Sequence, residues 1–165
     1  MVTDDSFRAS MRRLAAGVSI ISARGAEGPQ GITATAITSL SPDPPSILAC
    51  VNKSLLLSAL IRDTSTFGVN VLREEHAPLA RRFAGMDGVR GPEKFTAGSW
   101  IDLPSGAPGL ADGLVVLDCT VDRIVESSTH VILVGLITDI RHGEEGEPLV
   151  YCDGTFTGLR PLVTA

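Results

Sequence analysis

A mainly β fold, a small β-barrel of short strands with a few helices, is the class the sequence predicts, and three observations carry the prediction. Short runs rich in β-branched residues recur along most of the chain. They are separated by Gly- and Pro-rich stretches and polar turns rather than by long helical patterns. Apolar stripes at helical spacing are confined to three short segments. At 165 residues the chain fits a single domain spanning 1–165, long enough to bury about two-thirds of its unfolded surface.

The elements follow in order. Ser6 is a candidate cap for a helix whose face is Phe7, Met11, Leu14 and Ala15, with Gly17 placed to end it. Val18 to Ala23 and Gly31 to Ile37 read as a hairpin about the turn at Gly25 to Pro29. Pro42, Pro44 and Pro45 break regular structure, and Ser46 to Val51 is a buried strand. Leu55, Leu56, Ala59 and Leu60 form a helical stripe that Ser54 is placed to cap. Phe67 to Leu72 is a further strand and His76 to Phe83 a short helix. Ala84 to Pro108, rich in Gly and Pro, is a long surface excursion of the kind that borders sites. Leu114 to Ile124, His130 to Ile140 and Leu149 to Cys152 complete the sheet, the first two joined by a polar turn at Glu126 to Thr129.

Composition narrows the function. With 14 Lys and Arg against 19 Asp and Glu, the net charge of −5 argues against a nucleic-acid partner, though a local basic pocket is compatible with it. No apolar run approaches the roughly 18 residues of a membrane helix, and the opening Met1 to Asp5 is acidic where a secretory signal is basic. A cytoplasmic protein with no membrane contact is expected. Cys50, Cys119 and Cys152 sit among apolar neighbours, as buried reduced thiols do. The His and Cys residues show no ligand spacing, so no metal is expected, and His76 and His142 read as surface residues. Neither a G-x-G-x-x-G nor a G-x-x-x-x-G-K-[ST] run is present.

The most informative segment is Gly31 to Ser54. A flat heteroaromatic ring needs close backbone approach, which Gly31, Ala34 and Ala36 permit, and hydrogen-bonding groups, which Thr33 and Thr35 supply. A phosphate needs N–H groups and positive charge, and a helix opening at Ser54 beside Lys53 offers both. Taken alone, these features better suit an ordinary strand and an ordinary helix cap.

The order of Phe7-Arg8, Ala16 to Ser19, Gly31 to Ala36, Thr38 to Ser41, Asp43 to Pro45 and Cys50 to Ser54 resembles the flavin reductase family. Its members are small reductase components of two-component flavin-dependent monooxygenases. Phe67 to Leu72, Leu79 to Ala84, Lys94-Phe95 with Trp100, and Pro148 to Tyr151 extend the resemblance over nearly the whole chain. It implies an FMN-binding split barrel, Greek-key-like, that holds FMN or FAD and takes NADH or NADPH as co-substrate. By the same resemblance Gly31, Thr33, Ala34, Thr35 and Ala36 face the flavin ring, and Ser39 and Ser41 lie near ring or ribityl. Asn52, Lys53, Ser54 and Ser58 lie near ribityl and phosphate, Cys50 and Val51 belong to the cofactor site, and Arg81, Arg82 and Phe83 close the phosphate and ring side. Arg81 and Arg82 also read as a solvated helix face.

The family commonly carries Gly-Asp-His where this chain has Ser128-Thr129-His130, so only the His near the nicotinamide is kept. His130 is accordingly given a positioning role, with no residue named as an essential acid or base. Hydride transfer between nicotinamide and flavin is chemistry of the cofactors and needs no protein nucleophile. The resemblance further implies a homodimer and a partner monooxygenase that receives diffusible reduced flavin. The competing readings are a flavin-binding electron carrier and an oxidase of the pyridoxamine-phosphate type without reductase activity.

Overall fold

The computed structural model describes residues 1–160; the last five residues of the expected 1–165 domain lie outside the described residues. Helix α1, Asp4–Met11, is capped by Thr3 rather than Ser6, through a reciprocal pair of Thr3 and Ser6 side-chain bonds. It is shorter than its apolar spacing suggests and buries none of its residues. The chain then enters β1, Ala16–Gly17, instead of continuing helical to Gly17.

Strands β2, Ser19–Gly25, and β3, Gly28–Ala34, form the expected hairpin. Gly25 faces Gly28 across the turn, and Gly28 takes a φ of +103° that disfavours a side chain. The run expected over Gly31 to Ile37 is split: Ile37 opens β4, Ile37–Pro42, which turns into β5, Pro45–Asn52. The prolines delimit this hairpin instead of breaking it. A residue without an N–H is tolerated at the end of an edge strand and as the first residue of the next.

Helix α2, Leu56–Thr64, follows, with no side-chain cap at its start. Ser54 bonds Asn52 Oδ1 through both its N–H and its hydroxyl, at 2.9 Å each, so the expected cap is absent. Next come β6, Thr66–Val71, and α3, Ala77–Phe83. The Ala84 to Pro108 excursion contains a 3-10 turn over Gly91–Thr96 and β7, Trp100–Asp102, and Pro108 opens β8, Pro108–Leu110. Strands β9, Val115–Glu126, and β10, His130–His142, form a long hairpin. The short β11, Val150–Cys152, and β12, Thr155–Thr157, close the chain; β12 has no counterpart among the expected elements.

Seven strands form one antiparallel sheet in the order β3-β2-β6-β9-β10-β5-β4, and β1, β11 and β12 form a small second sheet. The two edge strands of the large sheet, β3 and β4, are separated in sequence by Thr35 and Ala36 alone. One core cluster draws Ile21 and Ala34 from one end of the sheet, Ile47 and Ala49 from the other, and Leu57 and Ile61 from α2. A second packs Val18, Ile20, Leu72 and Leu149 under Leu79 and Phe83 of α3. No helix among the described residues is long and apolar enough to cross a membrane.

Cys119 is fully buried in the first cluster, whereas Cys50 and Cys152 are half-buried, and all three are free. Burial, and then the Asp118 carboxylate, pushes the Cys119 thiol up to about 12. Since the thiolate is the reacting species, an aromatic disulfide reagent at mildly alkaline pH should label Cys50 and Cys152 in the native protein. Cys119 should react only after unfolding; labelling of Cys119 in the native state, read by peptide mass, would contradict this packing.

Candidate functional site

A cleft of about 760 Å³ opens where β3 and β4 meet, a volume within the range of small-ligand sites. Its floor is the stretch Gly31 to Ala36, and Cys50, Asn52, Ser54, Phe83 and His130 also line it. As an edge strand β3 pairs with β2 alone, which leaves main-chain groups on its other side for a ligand. Ala36 accepts a bond from the Cys50 N–H at 3.0 Å, which ties the two-residue link to β5.

Thr33 donates its hydroxyl to the Ala80 carbonyl at 2.6 Å, so that proton serves α3 and not the cleft. Thr35 is exposed. Gly31 is required on its far side by packing: a Cβ there would lie 2.7 Å from the Phe83 ring and 3.0 Å from Phe95. Phe83, Phe95 and Trp100 form an aromatic trio behind the cleft wall, with centroids 4.8 to 5.4 Å apart.

Seven of the expected residues do not line the cleft. Ser39 is exposed on β4, and Ser41 bonds the main chain of Asp43 at the hairpin turn. Val51 is core, and Ser58 is buried within α2. The Lys53 ammonium turns to the β9–β10 turn, where it donates to the Ser127 carbonyl at 2.6 Å. Arg81 stacks over Phe156 at 5.6 Å, and Arg82 bonds Asp87 at 2.9 Å and Thr96 at 3.3 Å. Lys53 and Arg81 are claimed by partners distant in sequence, and Arg82 by Asp87 just past the end of α3.

The positive charge in the cleft comes instead from Arg90 and Lys94 of the excursion, to which the sequence assigned no role. Lys94 donates to the Phe83 carbonyl at 2.9 Å and sits 5.8 Å from the centre of that ring. Burial, helped by the nearby Arg90 and opposed by Asp87, holds its ammonium below the usual lysine range. No Asp or Glu is among the residues lining the cleft.

His76 departs from the surface position expected of it. It is 8% exposed, accepts the Arg73 N–H on Nδ1 at 3.2 Å, and therefore presents its Nε2–H to Asp112 at 3.2 Å. The ligand atoms of Glu75, His76 and Asp112 lie within 4.8 Å of one another, a grouping that sequence spacing conceals. The Arg73 guanidinium, 2.7 Å from Glu75 and 3.5 Å from Asp112, supplies the cation at that point.

The sheet order, the cleft at its edges and the aromatic wall define a flavin reductase-like domain. The chain belongs to that family, the flavin reductase like domain, whose pattern matches residues 11–160. Among its relatives is the FMN reductase (NADH) RutF 2 of Rhizobium rhizogenes, 37% identical over 93% of this chain and 87% of that protein. The 4-hydroxyphenylacetate 3-monooxygenase reductase component of Pseudomonas aeruginosa is 34% identical over 94% of this chain and 91% of that protein. Among solved structures, the NADH:FAD oxidoreductase SgcE6 of Streptomyces globisporus, in complex with NAD and FAD fragments, superposes with a TM-score of 0.89. It is 27% identical, and 99% of each chain is covered.

Proposed function

We propose that this chain is an NADH-dependent flavin reductase that holds FMN or FAD in the cleft and releases the reduced flavin to a partner monooxygenase. The observation that carries the reading is the cleft's charge: in a chain of net charge −5, its ionic lining is Arg90 and Lys94, without a carboxylate. Such a lining suits the phosphates of flavin and nicotinamide nucleotides. The bound cofactors supply the redox chemistry.

The protein's part is to bind and orient. The main chain of Gly31 to Ala36 supports the ring, Asn52 and Ser54 meet the ribityl side, and Phe83 forms the wall. Arg90 and Lys94 neutralise phosphate, while His130 at the rim faces the nicotinamide. An open cleft suits a flavin that must leave after reduction. The seven-stranded sheet is read as a split barrel, because a link of two residues returns one edge to the other. A homodimer fits α1, whose eight residues are too few to persist as an isolated helix and leave Phe7 and Met11 exposed. The three free thiols suit the reducing cytoplasm.

The purified protein is expected to bind FMN or FAD in the micromolar range and, without oxygen, to bleach the bound flavin on addition of NADH. Titration by flavin fluorescence, followed by anaerobic absorbance, checks both steps. Absence of saturable binding of either flavin overturns the reading. Binding without bleaching leaves an electron carrier in its place.

A further inference from the structure

The turn between β9 and β10 carries a chain of contacts that ends on His130. Lys53, just beyond β5, donates its main-chain N–H to the Thr129 carbonyl at 3.0 Å. Its ammonium donates to the Ser127 carbonyl at 2.6 Å and reaches Glu126 at 3.3 Å. Glu126 is paired with Arg62 of α2 as well, and Arg62 first, then Lys53, holds its carboxyl below the ordinary glutamate range. The Ser127 N–H closes the turn on the His130 carbonyl at 3.0 Å. His130 itself faces Asn52 across the β5–β10 ladder.

The last link is between side chains: Thr129 Oγ1 lies 2.8 Å from His130 Nδ1. A threonine hydroxyl both donates and accepts, so this contact serves either imidazole tautomer. With Nδ1 engaged, Nε2 has no hydrogen-bond partner among the described residues, and His130 lines the cleft. The imidazole is exposed, so without this bond its rotamers would be little restrained.

We propose that Lys53 and Thr129 are positioning residues, which anchor the turn and orient His130 so that its Nε2 is presented to the nicotinamide. The proposal rests on the reading of the cleft given above. It gives Lys53 a task at the turn in place of a phosphate contact, and it gives Thr129 a task at a position where the family commonly has Asp. The side-chain bond joins two exposed residues and therefore contributes little to folding. Its loss should be felt through His130 rather than through global stability.

Two measurements test this. In steady-state kinetics Thr129→Val should raise the KM for NADH about fivefold, the worth of one neutral hydrogen bond, with kcat and flavin affinity little changed. Thr129→Ser should restore the wild-type value, Lys53→Met should act in the same direction as Thr129→Val, and on a His130→Ala background Thr129→Val should add nothing. In the flavin-free protein, the imidazole ¹⁵N spectrum should show the His130 Nδ1 signal displaced by Thr129→Val and retained by Thr129→Ser. An active wild type whose KM and Nδ1 signal are both unmoved by Thr129→Val would overturn the proposal, as would an equal loss on the His130→Ala background. If the wild type neither binds flavin nor oxidises NADH, the reading of the cleft fails instead. The ¹⁵N spectrum then still decides whether Thr129 holds the ring.

Discussion

Phe83→Ala is expected to destabilise the protein by about 3–5 kcal/mol, the range for emptying a large aromatic site, and to abolish measurable flavin binding. Phe83 is 1% exposed and packs against both Phe95 and Trp100, with centroids 4.9 and 5.4 Å away. It also fills the space beside Gly31, where a Cβ would lie 2.7 Å from its ring. Lys94 is bonded to the Phe83 carbonyl and lies over the same ring, so truncation loosens a cleft cation together with the cleft wall. Urea unfolding would give the stability loss, and flavin titration under conditions where the variant is folded would give the binding loss. A cost below about 1 kcal/mol would show that the trio relaxes to fill the hole.

Asn70→Leu is the second large effect, expected at about 2–4 kcal/mol, since buried groups left unpaired cost about 1–3 kcal/mol each. Asn70 is completely buried on β6. Its amide donates to the Ile20 carbonyl at 3.0 Å and to Ser22 Oγ at 3.1 Å, and its carbonyl accepts the Leu110 N–H at 2.7 Å. Ser22 in turn donates to the Pro108 carbonyl at 2.6 Å. The network pins the end of the excursion that supplies Arg90, Lys94 and Phe95. Hydrogen exchange should therefore show the Leu110 amide losing protection in the variant, alongside the drop in denaturation midpoint. Unchanged protection would mean that β7 and β8 hold that segment without Asn70.

The strands were legible because their signal is local. Val18 to Ala23, Ser46 to Val51, Phe67 to Leu72 and His130 to Ile140 are β-branched runs whose periodicity survives in the structure to within a few residues. The floor of the cleft was legible for the same reason: Gly31 to Ala36 is one short segment. Charged side chains were not, because their direction is set by partners far along the chain. Lys53 turns to Ser127 and Glu126 and Arg81 to Phe156, none of which its own neighbourhood announces. His76 was hidden similarly, since Asp112 reaches it from beyond the excursion. Ser54 had the residue type of a cap, yet the nearer Asn52 carboxamide claimed its hydroxyl. Lys94 stood out only as part of a family pattern. Its place in the cleft depends on how the Gly- and Pro-rich excursion folds back, and that path leaves no periodic trace.

The link of Thr35 and Ala36 between opposite edges of the large sheet makes the separation of those edges a matter of chain connectivity. Ala34 at the end of β3 and Ile37 at the start of β4 also pack into one core cluster. The distance between the two strand ends is limited by the three peptide bonds from Ala34 to Ile37, which span at most about 11 Å when extended. Adding or removing one residue there would change that limit while every strand kept its own hydrophobic pattern. The spacing of the sheet edges is thus written in the length of a two-residue link, apart from the strand side chains that build the core.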